Sequence, residues 1–345
     1  MTSASRSAAI PVSSDDVWDD PDVKKVTLER GAMGTKITIT AFSSYAIDEA
    51  ATRRALDAAF AEIQRLEKLM STWVATSEVS QINDGAGTTA VKVGPDVEAV
   101  IAKSLWIAKE SGGVFDITFE AMKGLWRFDQ GGVDEVPSDA AIQQARKLID
   151  YRNVLLDPSA HTVKLAKAGV RINLGGIAKG YAVDAAVRVL DAAGLRSFFV
   201  QAGGDLFVRG RKPDGSRYRV GIRDPRSDDP NDFFARIEVE DHAFSTAGDY
   251  ERAFVKDGRR YHHIIDPRTG YPATAARSVT IWAADAFTAD AIDDAVFILG
   301  AKEGLDLAER TDGVGAVMVD SANQVHISKR LEGLVQQQRA PRDAP

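Results

Sequence analysis

The chain of 345 residues contains no cysteine. Disulfides, thiolate zinc sites, iron–sulfur clusters and thiol nucleophiles are therefore all excluded. Histidine is scarce, at five residues, which leaves few imidazoles for proton transfer or metal ligation. Cations are outnumbered: 43 Lys and Arg stand against 50 Asp and Glu, for a net charge of −7. They are scattered rather than massed, which argues against a nucleic-acid partner. No apolar run is long enough to span a bilayer. Residues 1–20 lack the apolar centre of a signal peptide, and no membrane anchor is evident. These absences predict a cytoplasmic protein, unless a leader has been removed. Signature motifs are missing as well. Without Gly-x-Ser-x-Gly or His-Glu-x-x-His, the serine-hydrolase and zinc-protease readings fail. Neither a Walker loop nor a Gly-x-Gly-x-x-Gly fingerprint occurs.

What remains is ample for a large core, since 44% of the residues are hydrophobic. Residues 1–23 read as a flexible Ser- and Asp-rich tail, 24–331 as the folded part and 332–345 as a polar C-terminal tail. Alternation predicts strands at Lys25–Arg30 and Lys36–Ala41, turning through Gly31–Thr35. Asp48 caps an amphipathic helix to Met70, with Leu56, Phe60, Ile63 and Leu66 on one face. Further helices are predicted over Pro95–Ser111 and Ser138–Leu148. A β-rich middle follows, with strands at Val154–Leu156, Thr162–Leu165 and Val170–Leu174. After a central helix ending near Gly194 come strands at Phe198–Gln201, Leu206–Arg209, Tyr218–Ile222 and Phe234–Val239, with a polar loop at Asp224–Asp232. A strand at Ser278–Ala283, a helix over Thr288–Leu299 and a hairpin of Val314–Val319 with Gln324–Ile327 close the pattern. Irregular mixing of helices with antiparallel-looking strands favours an α+β fold.

Three features carry chemistry. Arg171–Ala186 passes from an apolar run through Gly175-Gly176 into a helix start. That corner points free N–H groups and the positive helix end at an anion, with Lys179 in the first turn. A tight corner with a solvated lysine explains the same pattern. Asp290 and Asp294 lie four apart on a helix that also carries Asp285 and Asp293. A shared face of carboxylates suits Mg²⁺ or Ca²⁺, or is simply a solvated acidic face. His262 and His263 are neighbours in a strand-like run, so one at most enters a site. Trp73 follows a helix end and either stacks on a planar ligand or joins the core. Together these fit metal-assisted chemistry on a phosphate ester or pyrophosphate.

The blocks Met33-Gly34-Thr35, Met70-Ser71-Thr72-Trp73, Phe115-Asp116, Asn173–Asp184, Gly203-Gly204-Asp205, Ser245–Tyr250, His263–Gly270 and Ala289-Asp290-Ala291 resemble, in order, the signature of the ApbE family, the FAD:protein FMN transferases. The resemblance implies an α+β fold related to the T-fold, with mixed, mostly antiparallel sheets flanked by helices. It implies FAD as substrate, Mg²⁺ as cofactor, and an acceptor protein whose Thr or Ser hydroxyl takes FMN through a phosphoester while AMP leaves. Some members hydrolyse FAD to FMN and AMP instead. A non-catalytic flavin carrier is a third reading, but it has no need of the carboxylate pair. Carried over by position, the metal ligands are Asp290, Asp294 and the carbonyl of Gly176, with Asp293 as a further contributor. FAD contacts fall to Met33, Trp73, Val114, Phe115, Asp116, Asn173, Lys179 and Ile265. Three positions depart from the usual pattern: Asn173 replaces Asp, Asp294 replaces Thr and Trp73 replaces Tyr. His263, opening its block, is the expected base for the acceptor hydroxyl. Asp266 is the runner-up, or the group that orients His263. The Asp266–Gly270 run also reads as a plain turn.

Overall fold

The computed structural model describes residues 23–128 and 135–343. All but the last residue of the predicted N-terminal tail thus lies outside the described residues. In chain order the elements are β1 (Lys25–Ala32), β2 (Thr35–Phe42), α1 (Glu49–Met70), α2 (Glu78–Asp84), β3 (Val91–Lys92), α3 (Pro95–Glu110), α4 (Asp139–Arg146), β4 (Val154–Asp157), β5 (Thr162–Leu165) and α5 (Ala178–Ala192). The second half continues with β6 (Phe198–Ala202), β7 (Asp205–Arg209), β8 (Tyr218–Arg223), β9 (Phe233–Val239), β10 (His242–Gly248), β11 (Ala253–Lys256), β12 (Arg259–His262), β13 (Ile265–Asp266), β14 (Tyr271–Pro272) and β15 (Ala276–Ala283). It ends with α6 (Ala286–Arg310), β16 (Gly315–Asp320), β17 (Val325–Ile327) and β18 (Val335–Gln337).

The frame is an eight-stranded sheet in the order β1-β2-β6-β7-β10-β15-β16-β17, antiparallel throughout. Successive side chains along a strand leave on opposite faces. In β16, Ala316 and Met318 join the cluster that α1, α5 and α6 cover, whereas Val317 and Val319 join a second one. That second cluster is closed by a small sheet, β18-β9-β8, through Tyr218, Phe234 and Ile237. The expected α+β architecture is therefore present, with helices on one face of a sheet and strands on the other.

Local sequence explains the helix starts. Asp48 accepts the amide of Ala51 at 2.7 Å to cap α1, and Asp285 accepts that of Thr288 at 2.7 Å to cap α6. Leu56, Ile63 and Leu66 of α1 are fully buried. Among the described residues, no helix is long and apolar enough to cross a membrane.

Three expectations change. Val170, Ile172 and Leu174 are buried as the alternation predicts, but Val170–Leu174 joins no sheet. Its backbone is claimed elsewhere: Ile172 donates to the Asn83 side chain at 2.7 Å and accepts from it at 2.9 Å, while Asn173 donates to the Ile117 carbonyl at 2.9 Å. The helix predicted to stop at Leu299 runs on to Arg310 through a kink at Gly300, where φ is +77°. Finally, the segment after Leu331 is polar but not loose. It adds β18 to β9, and Arg339 then bridges Asp224 at 2.5 Å and Asp232 at 2.6 Å.

The contact that builds the site is between α5 and α6. A Cβ on Gly180 would stand 2.2 Å from the Ala286 carbonyl oxygen and 2.6 Å from the Asp290 Cβ. Only glycine lets the two helices approach this closely, and that approach sets Asp290 against the start of α5.

Candidate active site

A cleft of about 860 Å³ opens above this contact, within the size range of small-molecule and cofactor sites. Met33, Trp73, Val114, Phe115, Asp116, Asn173, Gly176, Lys179, His263, Ile265, Asp290, Asp293 and Asp294 all line it. Residues far apart in sequence are thus gathered on one cavity. Asp266 is not on that wall. Its carboxylate accepts the backbone amide of Arg268 at 2.8 Å and the Arg268 guanidinium at 2.8 and 2.9 Å. Its carbonyl accepts Gly270 N–H at 2.8 Å. It holds the turn and neither reaches nor orients His263.

At the base of the cleft, Lys179 Nζ lies 2.8 Å from Asp205 Oδ2 and 3.0 Å from Asp290 Oδ1. The other Asp290 oxygen accepts Gly180 N–H at 2.8 Å. The anion expected at the glycine corner is therefore supplied in part by the protein itself. The Asn173 side-chain oxygen likewise takes Gly175 N–H at 2.7 Å. Ser245 Oγ sits 2.7 Å from Asp205 and 2.6 Å from Asp293. Asp294 Oδ2 lies 3.2 Å from where a Gly176 Cβ would stand, and its carboxylate has no hydrogen-bond partner among the described residues.

Carboxylates outnumber cations here, and protonation equilibria respond. Burial, followed by the charge of Asp290, pushes the Asp205 carboxyl up to about 7. Burial pushes Asp294 up to about 6. Burial and the charges of Asp294, Asp290 and Asp205 hold Asp293 well above the usual carboxylate range. For Lys179, burial opposes the charge, but Asp205, Asp290 and Asp293 more than offset it and keep the ammonium protonated.

The walls are less uniform. Trp73 is 84% exposed, so the core reading of this residue is overturned. Lys123 Nζ lies 4.6 Å over its ring and pairs with the buried Glu120 at 2.7 Å. Met33 sits at φ +52°, with its amide held by Glu67 at 2.7 Å. Asp116 is buried and committed to Thr118 N, Thr118 Oγ1 and Tyr151 N, at 2.6–2.8 Å. It braces the Val114–Asp116 segment rather than offering a free charge. The Asn173 amide donates to Glu120 at 2.8 Å. A carboxylate therefore stands next to the position where the family pattern places one.

The two histidines separate as the strand geometry predicts. His262 is buried and bonds the Ala273 carbonyl at 2.8 Å through Nε2. His263 lies exposed on the cleft wall. Enclosure by the cleft, together with the positive side of His262, Arg252 and Lys179, lowers its pKa, so the ring is neutral at neutral pH. Asp205, Ser245 and Glu120 were not among the predicted site residues. The sequence signal for Asp205 is its place at the end of the Gly203-Gly204-Asp205 block, and a Cβ on Gly204 would lie 2.7 Å from the Thr246 carbonyl oxygen.

Comparison with known proteins agrees with this geometry. The family model described as "ApbE family" matches residues 33–318. A Treponema pallidum protein named FAD:protein FMN transferase is 36% identical over 290 residues, covering 79% of each chain. The crystal structure of the ApbE protein from Thermotoga maritima superimposes with a TM-score of 0.80 at 35% identity, covering 90% of this chain and 99% of that one. The apo flavinyl transferase ApbE of Pseudomonas stutzeri superimposes with a TM-score of 0.78 at 30% identity, covering 90% and 97%. The model match spans most of the chain and falls on the residues that build the cleft, and on these grounds the chain belongs to the ApbE family.

Proposed function

We propose that this chain transfers FMN from FAD to a Thr or Ser hydroxyl of an acceptor protein. The observation that carries the reading is the convergence of Asp205, Asp290, Asp293 and Asp294 on a single lysine, at the base of a cleft walled by an exposed tryptophan. The FAD:protein FMN transferases among its relatives support it. The acceptor oxygen forms a new bond to the FMN-side phosphorus. The bond from that phosphorus to the bridging oxygen breaks, AMP leaves with the electron pair, and the hydroxyl proton is lost.

Mg²⁺ fits the residues present. Every donor is an oxygen, the hard kind that Mg²⁺ prefers. The negative charge exceeds what Lys179 balances, and the Asp294 carboxylate is uncommitted. Asp290, Asp294 and the Gly176 carbonyl would hold the ion, with Asp293 beside them. When bound it neutralises charge on the pyrophosphate oxygens. The protein's own groups supply the rest. Trp73 offers a stacking face to a flavin or adenine ring. Met33, Ile265 and Val114–Asp116 shape the walls, and Asn173 with Glu120 presents polar edges. His263, neutral and open to the cleft, accepts the hydroxyl proton. Asp266 keeps the turn that presents the His263 block.

The test is incubation with FAD and MgCl₂, with and without an acceptor protein, following AMP, free FMN and flavin fluorescence on denatured protein. The reading requires AMP release matched by protein-bound flavin. Free FMN and AMP without bound flavin would make water the nucleophile and the chain a pyrophosphatase. Bound but intact FAD would make it a carrier.

A further inference from the structure

Lys179 stands in an unusual place for a lysine. It occupies the first turn of α5, where the helix dipole disfavours a cation. Two carboxylates rather than the helix hold it there, Asp205 at 2.8 Å and Asp290 at 3.0 Å. Its side chain keeps 28% of its surface open, on the cleft side. The two partners are not equivalent. Asp290 is fixed independently by Gly180 N–H through its other oxygen, so Oδ1 keeps its position when the ammonium leaves. Asp205 lies on β7, outside the set expected to hold the metal, and can retain the lysine. A lysine ammonium is a compact charge on a flexible stem, unlike the two-pronged arginine fork that would lock a carboxylate.

We propose that Lys179 is an exchangeable counter-ion: it balances the carboxylates when no metal is bound, releases Asp290 when Mg²⁺ enters, and then presents its ammonium to the phosphates of the dinucleotide. The proposal rests on the metal reading above. It predicts that Lys179 opposes metal binding in the empty cleft and assists ligand binding in the loaded one. A lysine that only props the fold would stay on Asp290 in both states, and its reactivity would not change when MgCl₂ is added.

The test is calorimetric titration of MgCl₂ into the protein without FAD. Lys179→Met should bind Mg²⁺ about tenfold or more tightly than wild type, because a competing positive charge is gone. Lys179→Arg, which keeps the charge, should bind no more tightly than wild type. A second measurement uses the wild-type chain and needs no variant to fold. Acylation of Lys179 by acetic anhydride, read by mass spectrometry, should rise when MgCl₂ is added and fall again when FAD follows. Equal or weaker Mg²⁺ binding by Lys179→Met, or labelling that MgCl₂ leaves unchanged, overturns the counter-ion while leaving the metal assignment standing. A wild-type protein that takes up no Mg²⁺ at all removes the metal assignment, and the counter-ion with it.

Discussion

Among the described residues, two gatherings of aspartates behave in opposite ways. At the C-terminal strap, Asp224 and Asp232 meet Arg339, and Arg342 reaches Asp232 at 2.6 Å. Although burial would raise Asp224, the amide of Arg226, the Arg339 guanidinium and the amide of Arg342 hold its carboxyl below the usual range. The Arg339 guanidinium also lowers Asp232. At the cleft, Asp205, Asp293 and Asp294 share one lysine with Asp290, and burial with mutual repulsion pushes their carboxyls up. Matched charges fasten the chain; unmatched charges leave room for a cation and a ligand. By that contrast the strap is a structural acid cluster and the cleft is the candidate functional one, without reference to any relative.

Substitutions can break the contrast, and outside the aspartates the largest effect belongs to His263. His263→Ala should cut FMN transfer by about 10²–10⁴-fold, the usual weight of a general base, while FAD and Mg²⁺ binding and Tm stay near wild type. Because enclosure by the cleft and nearby cations lower its pKa, the wild-type rate should not titrate near the ordinary histidine value. An inflection at about pH 6.5 that persists at saturating MgCl₂ and is lost in His263→Ala would contradict that assignment. Trp73→Ala should weaken FAD binding by roughly 1–3 kcal/mol. Since the ring is 84% exposed, Tm should hardly move, and a large drop would return Trp73 to a packing role. At the strap, Arg339→Ala should lower Tm by several degrees and leave transfer near its parent rate.

The smallest effect is a pH dependence. Raised carboxyls bind protons more tightly in the folded chain than in the unfolded one. Their ionisation therefore lowers stability as pH rises from the usual carboxylate value to about 7 at Asp205. Lowered carboxyls at the strap work the other way and lose their contribution only as pH falls through their depressed values. Protons compete with metal at the cleft alone. The rise in Tm on adding MgCl₂ should therefore grow between about pH 5.5 and about pH 8. An Mg²⁺ effect independent of pH would place the ion elsewhere.

Elements with strong local periodicity were legible from sequence. The β1–β2 hairpin, α1 with its Asp48 cap and the β16–β17 hairpin depend on neighbours in the chain. The Asp290/Asp294 pair is visible for the same reason, its members lying one turn apart on one helix face. What escaped depends on distant partners. The alternation at Val170–Leu174 is a true burial signal, yet Asn83, 89 residues away, takes the bonds a strand would use. Lys179 read as an outward anion ligand because nothing near it in sequence reveals Asp205 or Asp290, the latter 111 residues on. Glu120 is silent for the same reason, and Ser245 shows only as the first residue of a family block, with no role attached. For Trp73 the local pattern alone, a tryptophan after a helix end, favours the core, and only the family resemblance points to the cleft wall where the ring lies.

The most direct measurement is a paired one: FMN transfer and Tm for Asp290→Asn and Asp224→Asn, side by side with wild type. Asp290→Asn should lose transfer by several orders of magnitude and lower Tm less than Asp224→Asn does, because it removes a metal ligand while Asp205 stays 2.8 Å from Lys179 as its counter-charge. Asp224→Asn should do the reverse, keeping transfer and losing Tm as Arg339 is left without its buried partner. If Asp290→Asn unfolds the protein while Asp224→Asn stops the reaction, or if both change the two quantities alike, the distinction between matched and unmatched aspartates is wrong.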